Sequence, residues 1–262
     1  MAARAMWKGV IRFEDVEVPV KLYSAVQDQA VHFRLLHEKD MEPVKQQMVH
    51  PDTGKVVDAD EVRRAYQTDD GDLVMLDDEE LAELEPEASR DIEVTRFLDT
   101  DVITHQWYDR PYYLGPDGDA GAYFALAEAL RKKGREGVVR WVMRKKEYVG
   151  ALRAHGDHLI LMTLRRKGEV VPASALKAPG GRALDKREVN MAMQLVSALE
   201  EDELDLAAFR DEYRDRVVEL VTAKAEGKVV KFPEPPAKQT EESLEKMLAA
   251  SLKAAKKRRA SG

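Results

Sequence analysis

Residues 138–164 narrow most what this chain can fold into. Val139, Trp141 and Met143 recur with period two, a second β-like run follows at 148–152, and a Gly156-Asp157 turn leads into a third at 158–164. Alternation of this kind puts one set of side chains on a single sheet face, so the stretch reads as a β-meander. The N-terminal region repeats the theme. Val10, Ile11 and Phe13 precede a polar Glu14-Asp15 corner, after which Val16, Val18, Val20 and Leu22 alternate. Pro19 has no amide hydrogen to donate to a neighbouring strand, which predicts an edge or a bulge at that point.

Between these two regions the sequence predicts shorter β segments at 31–36, 44–49 and 73–76. Pro51-Asp52-Thr53-Gly54 and Asp69-Asp70-Gly71 supply turns between them. Asp77 followed by acidic residues predicts a short helix over 77–84, stopped before Pro86. Further strands are expected at 91–97 and 102–108, then a run Arg110-Pro111-Tyr112-Tyr113-Leu114 into a Gly-Pro-Asp-Gly turn. A helix is expected over 120–133, ended by Gly134. Beyond a hinge at Pro179-Gly180-Gly181 the period becomes helical. Asp185 with Glu188 opens one helix bearing Val189, Ala192, Met193, Val196 and Leu199. Leu206, Phe209, Tyr213, Val217, Leu220 and Val221 mark a second. Pro233, Pro235 and Pro236 read as a stiff spacer before a last amphipathic helix capped by Thr240, with Leu244, Met247, Leu248 and Leu252 on one face and Lys253 and Lys256-Lys257-Arg258-Arg259 at its end. The class is α+β, with divisions expected at 1–180, 181–231 and 232–262.

A net charge of −7 speaks against a nucleic-acid partner until its distribution is examined. Residues 58–101 hold seventeen acidic side chains against four basic ones, whereas 131–167 hold twelve basic against three acidic. The signs are sorted along the chain, and local field matters more to a polyanion than the total. The alternative is that both blocks are solvated surface. Zero cysteines exclude disulfides, thiolate catalysis and cysteine-ligated metal. No apolar run approaches the ~20 residues needed to span a bilayer, and no signal-peptide pattern opens the sequence, so no membrane partner and a cytoplasmic location are expected.

The carboxylates and histidines form no convincing catalytic arrangement. His155 and His158 flank a tight turn, and His32 and His37 fall on opposite faces of a strand pattern with no third ligand near. Asp69-Asp70 and the acidic run 77–80 would suit a magnesium-dependent nuclease, but turn and helix-start chemistry already accounts for them. Neither 115–118 nor Gly180-Gly181 matches a phosphate-loop or dinucleotide pattern. The expectation is no catalytic residue, no metal and no cofactor.

The order of segments carries a resemblance. Met6-Trp7-Lys8-Gly9-Val10-Ile11-Arg12-Phe13 followed by Val18-Pro19-Val20-Lys21-Leu22-Tyr23-Ser24-Ala25 closely resembles the opening of the bacterial Ku family. His32-Phe33 with Leu35-Leu36-His37, the Asp69-Asp70-Gly71 turn before 73–76, Asp109 to Leu114, and Leu152-Arg153 through Gly156-Asp157 to Thr163-Leu164-Arg165 look like later landmarks in register, over residues 6–225. Where some relatives carry a cysteine-containing turn, this chain has Val49 to Gly54, and Arg166-Lys167-Gly168 replaces a more acidic loop. The resemblance implies a β-barrel core with extended bridging segments and a C-terminal helical arm, two copies closing a ring on ends of double-stranded DNA. It also implies recruitment of an ATP-dependent DNA ligase in non-homologous end joining, and association with the nucleoid. On that reading the expected DNA contacts are Lys21, Arg34, Lys45, Arg63, Arg64, Arg140, Arg144, Lys145 and Lys146, against the alternative of solvated surface charge. A metal-dependent nuclease and a protein-binding scaffold are the competing classes.

Overall fold

The alternating N-terminal stretch forms β1 (Trp7–Phe13) and β2 (Val16–Ser24), joined at the corner where Glu14 takes a φ of 48°. There follow β3 (Arg64–Gln67), β4 (Leu73–Leu76), α1 (Asp78–Glu83), β5 (Asp91–Asp99), β6 (Tyr108–Pro116), α2 (Gly121–Lys133), β7 (Arg135–Met143), β8 (Lys146–His155) and β9 (His158–Leu164). Helices α3 (Lys186–Ala198) and α4 (Glu212–Ala225) come last. The computed structural model describes residues 4–176, 185–228 and 251. The hinge at 179–181, the proline spacer and the basic tail lie outside the described residues. The chain divides into one unit of Met1–Gln29 with Phe33–Ala173 and a second of Ala30–His32 with Ser174–Gly262.

In the first unit, seven strands close into a barrel in the order β1, β2, β6, β9, β8, β7, β5. Neighbours are antiparallel except at the seam, where β1 and β5 run parallel through Val10↔Asp91, Ile11↔Ile92 and Arg12↔Glu93. The inward sides of the alternating strands supply the core: Ile11, Val18, Val20, Leu22, Ile92, Leu114, Val139, Leu152, Leu159 and Leu161 are all buried. Each such side chain removed from water contributes about 1.5–3 kcal/mol. Helix α2 packs on β2, β7, β8 and β9. It inserts the fully buried Tyr123, whose hydroxyl donates to the Leu114 carbonyl (2.5 Å) and accepts from the Leu159 N–H (2.9 Å). Gly134 ends α2 in the left-handed conformation, as expected of a glycine at that place. Pro19 pairs with Val10 within β2, but the ladder to β6 begins only at Val20, so its missing donor falls just beyond that ladder.

Three expected strands are corrected. Residues 31–36 and 44–49 contribute only the isolated bridges Leu36↔Pro43 and Val49↔Val56, because they meet no partner strand among the described residues. The third, 102–108, is instead a 3-10 turn over His105–Trp107, and the strand starts at Tyr108. Strand β3, not expected from its polar sequence, forms by pairing with β4 across the Asp69-Asp70-Gly71 turn, where Gly71 has a φ of 93°. Segment 25–76 leaves its large apolar side chains in water: Phe33 (66%), Leu35 (64%), Leu73 (71%) and Met75 (73%) are mostly exposed. Asp77 caps α1 with a reciprocal bond to Glu80, as the sequence predicts.

In the second unit, the Asp185 side chain accepts from the Arg187 N–H and starts α3, and Asp211 accepts from the Arg214 N–H and starts α4. Leu206 lies in a 3-10 turn and Phe209 just beyond it rather than in the second helix, because Asp205 caps that turn and Asp211 begins anew. Met193, Val196 and Leu199 make an exposed apolar stripe. Among the described residues no helix is long and apolar enough to cross a membrane.

Candidate nucleic-acid interface

Four of the nine expected cations lie on the β7–β8 hairpin, three of them consecutive at its turn. Arg144 and Lys145 form its turn, with φ of 52° and 63°. Two successive residues at positive φ match the twist of a two-residue hairpin, a place usually taken by Asn-Gly. Holding side-chain-bearing residues there costs roughly 1–2 kcal/mol each, so the turn keeps two cations against its own backbone preference. Lys145 bonds Glu85 at 2.9 Å, and Lys146 lies over the Tyr148 ring, 5.5 Å from its centroid. That ring stacks on Trp141 at 5.3 Å, which fixes the base of the hairpin. Arg140 is the outlier. It lies across from Glu93 and shares a cleft of about 770 Å³ with Arg12, Asp91 and Glu147, so its field is largely balanced by carboxylates.

The other five are dispersed. Lys21 sits opposite Lys8 on the β1–β2 ladder, and both bond Asp117, at 2.8 and 2.9 Å. Like charges facing each other in a sheet repel, and the shared carboxylate removes that cost. Its hydrogen bond raises the Lys21 pKa, and the two ammonium groups, Lys21 first, lower that of Asp117. Arg63 turns back onto the carbonyls of Asp60 and Val62, and Arg64 lies 3.6 Å from Asp78 of α1. Arg34 and Lys45 are exposed on segment 25–76.

Arg166, not among the expected contacts, shares a hollow of about 660 Å³ with Lys145, Lys146, Glu147 and Glu169 and donates to the Glu147 carbonyl at 3.2 Å. It belongs to the basic block 131–167, and that block was the available signal. Away from the hairpin the fully buried Glu136 receives the Tyr108 hydroxyl at 3.0 Å on both oxygens. Burial raises the Glu136 pKa, offset in part by that bond and by Arg153, and burial with the nearby carboxylate pushes Tyr108 up to about 12. The pair is a buried brace remote from the hairpin turn in the ladder, since Glu136 is the second residue of β7 and Arg144 follows its end. His155 and His158 face each other as the last rung of β8 and β9. Among the described residues no three His, Cys, Asp or Glu side chains converge as a metal site.

This arrangement can attract phosphate without reading bases, because the hairpin turn carries adjacent cations on a closed barrel. The Ku70/Ku80 beta-barrel domain family matches residues 12–206. The chain is 34% identical to the Non-homologous end joining protein Ku of Cupriavidus necator, over 91% of this chain and 72% of that protein. It is 34% identical to Non-homologous end joining protein Ku 2 of Geotalea uraniireducens, over 90% and 91%. With the Non-homologous end joining protein Ku of Pseudomonas aeruginosa it shares 34% identity over 85% and 77%. A closed barrel, a long insertion carrying exposed apolar side chains between β2 and β5, and matches running through both therefore agree: this chain belongs to the Ku family.

Proposed function

We propose that the protein binds ends of double-stranded DNA without regard to sequence, as a homodimeric ring, and brings an ATP-dependent DNA ligase to them in non-homologous end joining. The observation that carries this reading is the exposed apolar segment 25–76, inserted into a barrel of the Ku family. Phe33, Leu35, Tyr66, Leu73 and Met75 are each more than 60% exposed, and a second copy of the same segment would cover them. The stripe of Met193, Val196 and Leu199 on α3 is a further candidate for the contact. On this reading residues 1–180 are barrel and bridge, 181–231 a helical arm, and 232–262 a basic tail. Lys21, Arg34, Lys45, Arg63, Arg64, Arg140, Arg144, Lys145 and Lys146 remain the proposed phosphate contacts, with the hairpin turn foremost. No step of bond making is assigned to the protein, and it works at the nucleoid.

A ring reaches the duplex only through an end. Linear plasmid should therefore compete for the protein while the same plasmid, relaxed and covalently closed, should not, at one salt concentration so that counterion release is held constant. Equal competition by the two forms would rule out threading.

A further inference from the structure

We propose that the groove between α2 and the barrel is a docking site for an amphipathic helix of a partner protein, one that brings apolar side chains on one face and acidic residues at one end. The groove arises from the seam. Strand β1 turns at Phe13, and its parallel ladder with β5 stops at Arg12↔Glu93, whereas β5 runs on to Asp99. The space left beside β5 holds about 560 Å³. Phe13, Val16 and Phe97 wall one side, the two phenyl rings edge to face at 6.1 Å, and Ala122, Ala125 and Ala129 of α2 wall the other. Val16 and Phe97 are 41% and 43% exposed, so water covers an apolar trough.

Charge selects the occupant. In this acidic protein the groove ends in a basic lip, made of Lys133 and Arg135 with Arg131 and Lys132 behind them. Arg131 and Lys132 share the single carboxylate of Glu128, and Arg135 bonds Asp99. Lys133 has no ion-pair partner among the described residues. The lip thus keeps an excess of positive charge facing whatever lies in the trough. Shape selects a helix. Alanines at Ala122, Ala125 and Ala129 let a second helix approach α2 closely, with its larger side chains reaching the phenyl rings opposite. Addition of a strand to the free side of β5 is opposed by the irregularity between Val94 and Arg96, which twists that edge, and by the charge of Arg96.

The test uses the full-length protein and a fluorescein-labelled helical peptide matched in length to α2, with leucines at helical spacing and glutamates at one end. Fluorescence anisotropy should show saturable binding, about 10-fold or more tighter than for the peptide with lysines in place of the glutamates. Ala125→Glu should abolish binding while leaving DNA binding and sedimentation unchanged, and Lys133→Glu should reverse the preference between the two peptides. The proposal is overturned by equal binding of both peptides, by absence of saturable binding, or by equal binding of a peptide with leucines at alternate positions, which would signal strand addition. A smaller sedimenting species for Ala125→Glu would also overturn it, since the groove would then be a contact between two copies.

Discussion

Glu136 is where a single residue leaves the sharpest solution signature. Its folded pKa lies above the ordinary value of 4.5, so the folded state prefers the neutral carboxyl. Below that value the group is neutral in both states. As pH rises through the raised folded value, the unfolded chain ionises first and the contribution to stability is lost. Glu136→Gln lacks this titration and can still accept from Tyr108. Wild-type stability relative to the variant should therefore fall with rising pH across that window, read from urea midpoints at a series of pH values. A flat difference would mean that the carboxylate is as well satisfied as the acid. Gly150 gives a steric prediction. A Cβ there would lie 2.6 Å from the Met162 carbonyl and 2.6 Å from the Trp141 ring, so backbone must shift. Gly150→Ala should cost about 1–3 kcal/mol in the same measurement, as overpacking does in a filled core.

The β7–β8 hairpin is the element on which stability and binding pull apart. Replacing Arg144 and Lys145 by Asn and Gly should relieve positive-φ strain, adding about 1–2 kcal/mol to stability. Loss of the exposed Lys145–Glu85 pair takes back no more than about 1 kcal/mol. The same exchange should weaken duplex binding and lower the slope of log affinity against log salt by about 2 per chain if both cations meet phosphates. An unchanged slope would place the turn away from the DNA. This hairpin was legible in the sequence because alternation and a dense basic block coincide there. The barrel strands were legible for the same reason, their inward period being strict at Val18, Val20 and Leu22 and again at Val139 and Trp141. The segments at 31–36 and 44–49 misled because they have strand composition but no ladder among the described residues. Composition cannot say whether a partner strand exists. Lys21 misled in another way: nothing local announces that the register of β2 on β6 will bring Asp117 against it, neutralising the charge.

At the scale of the whole molecule, the exposed face of β4 should govern assembly. Leu73→Ser with Met75→Ser changes two largely exposed side chains on a strand outside the barrel ladder, and on the proposed reading it should shift the sedimenting species from a dimer toward the 29.6 kDa monomer while leaving the thermal unfolding of the barrel in place. A dimer undisturbed by this pair would move the contact to the stripe on α3. The parallel seam between β1 and β5 has a last consequence. The barrel is closed by strands from either side of residues 25–90, so that whole span is a single loop as far as the entropy of closure is concerned. Such entropy grows only with the logarithm of length, about 0.6 kcal/mol for each doubling. The span can lengthen or shorten over generations at almost no expense to the barrel that anchors it, so the length of this insertion is free to vary while the barrel stays the same.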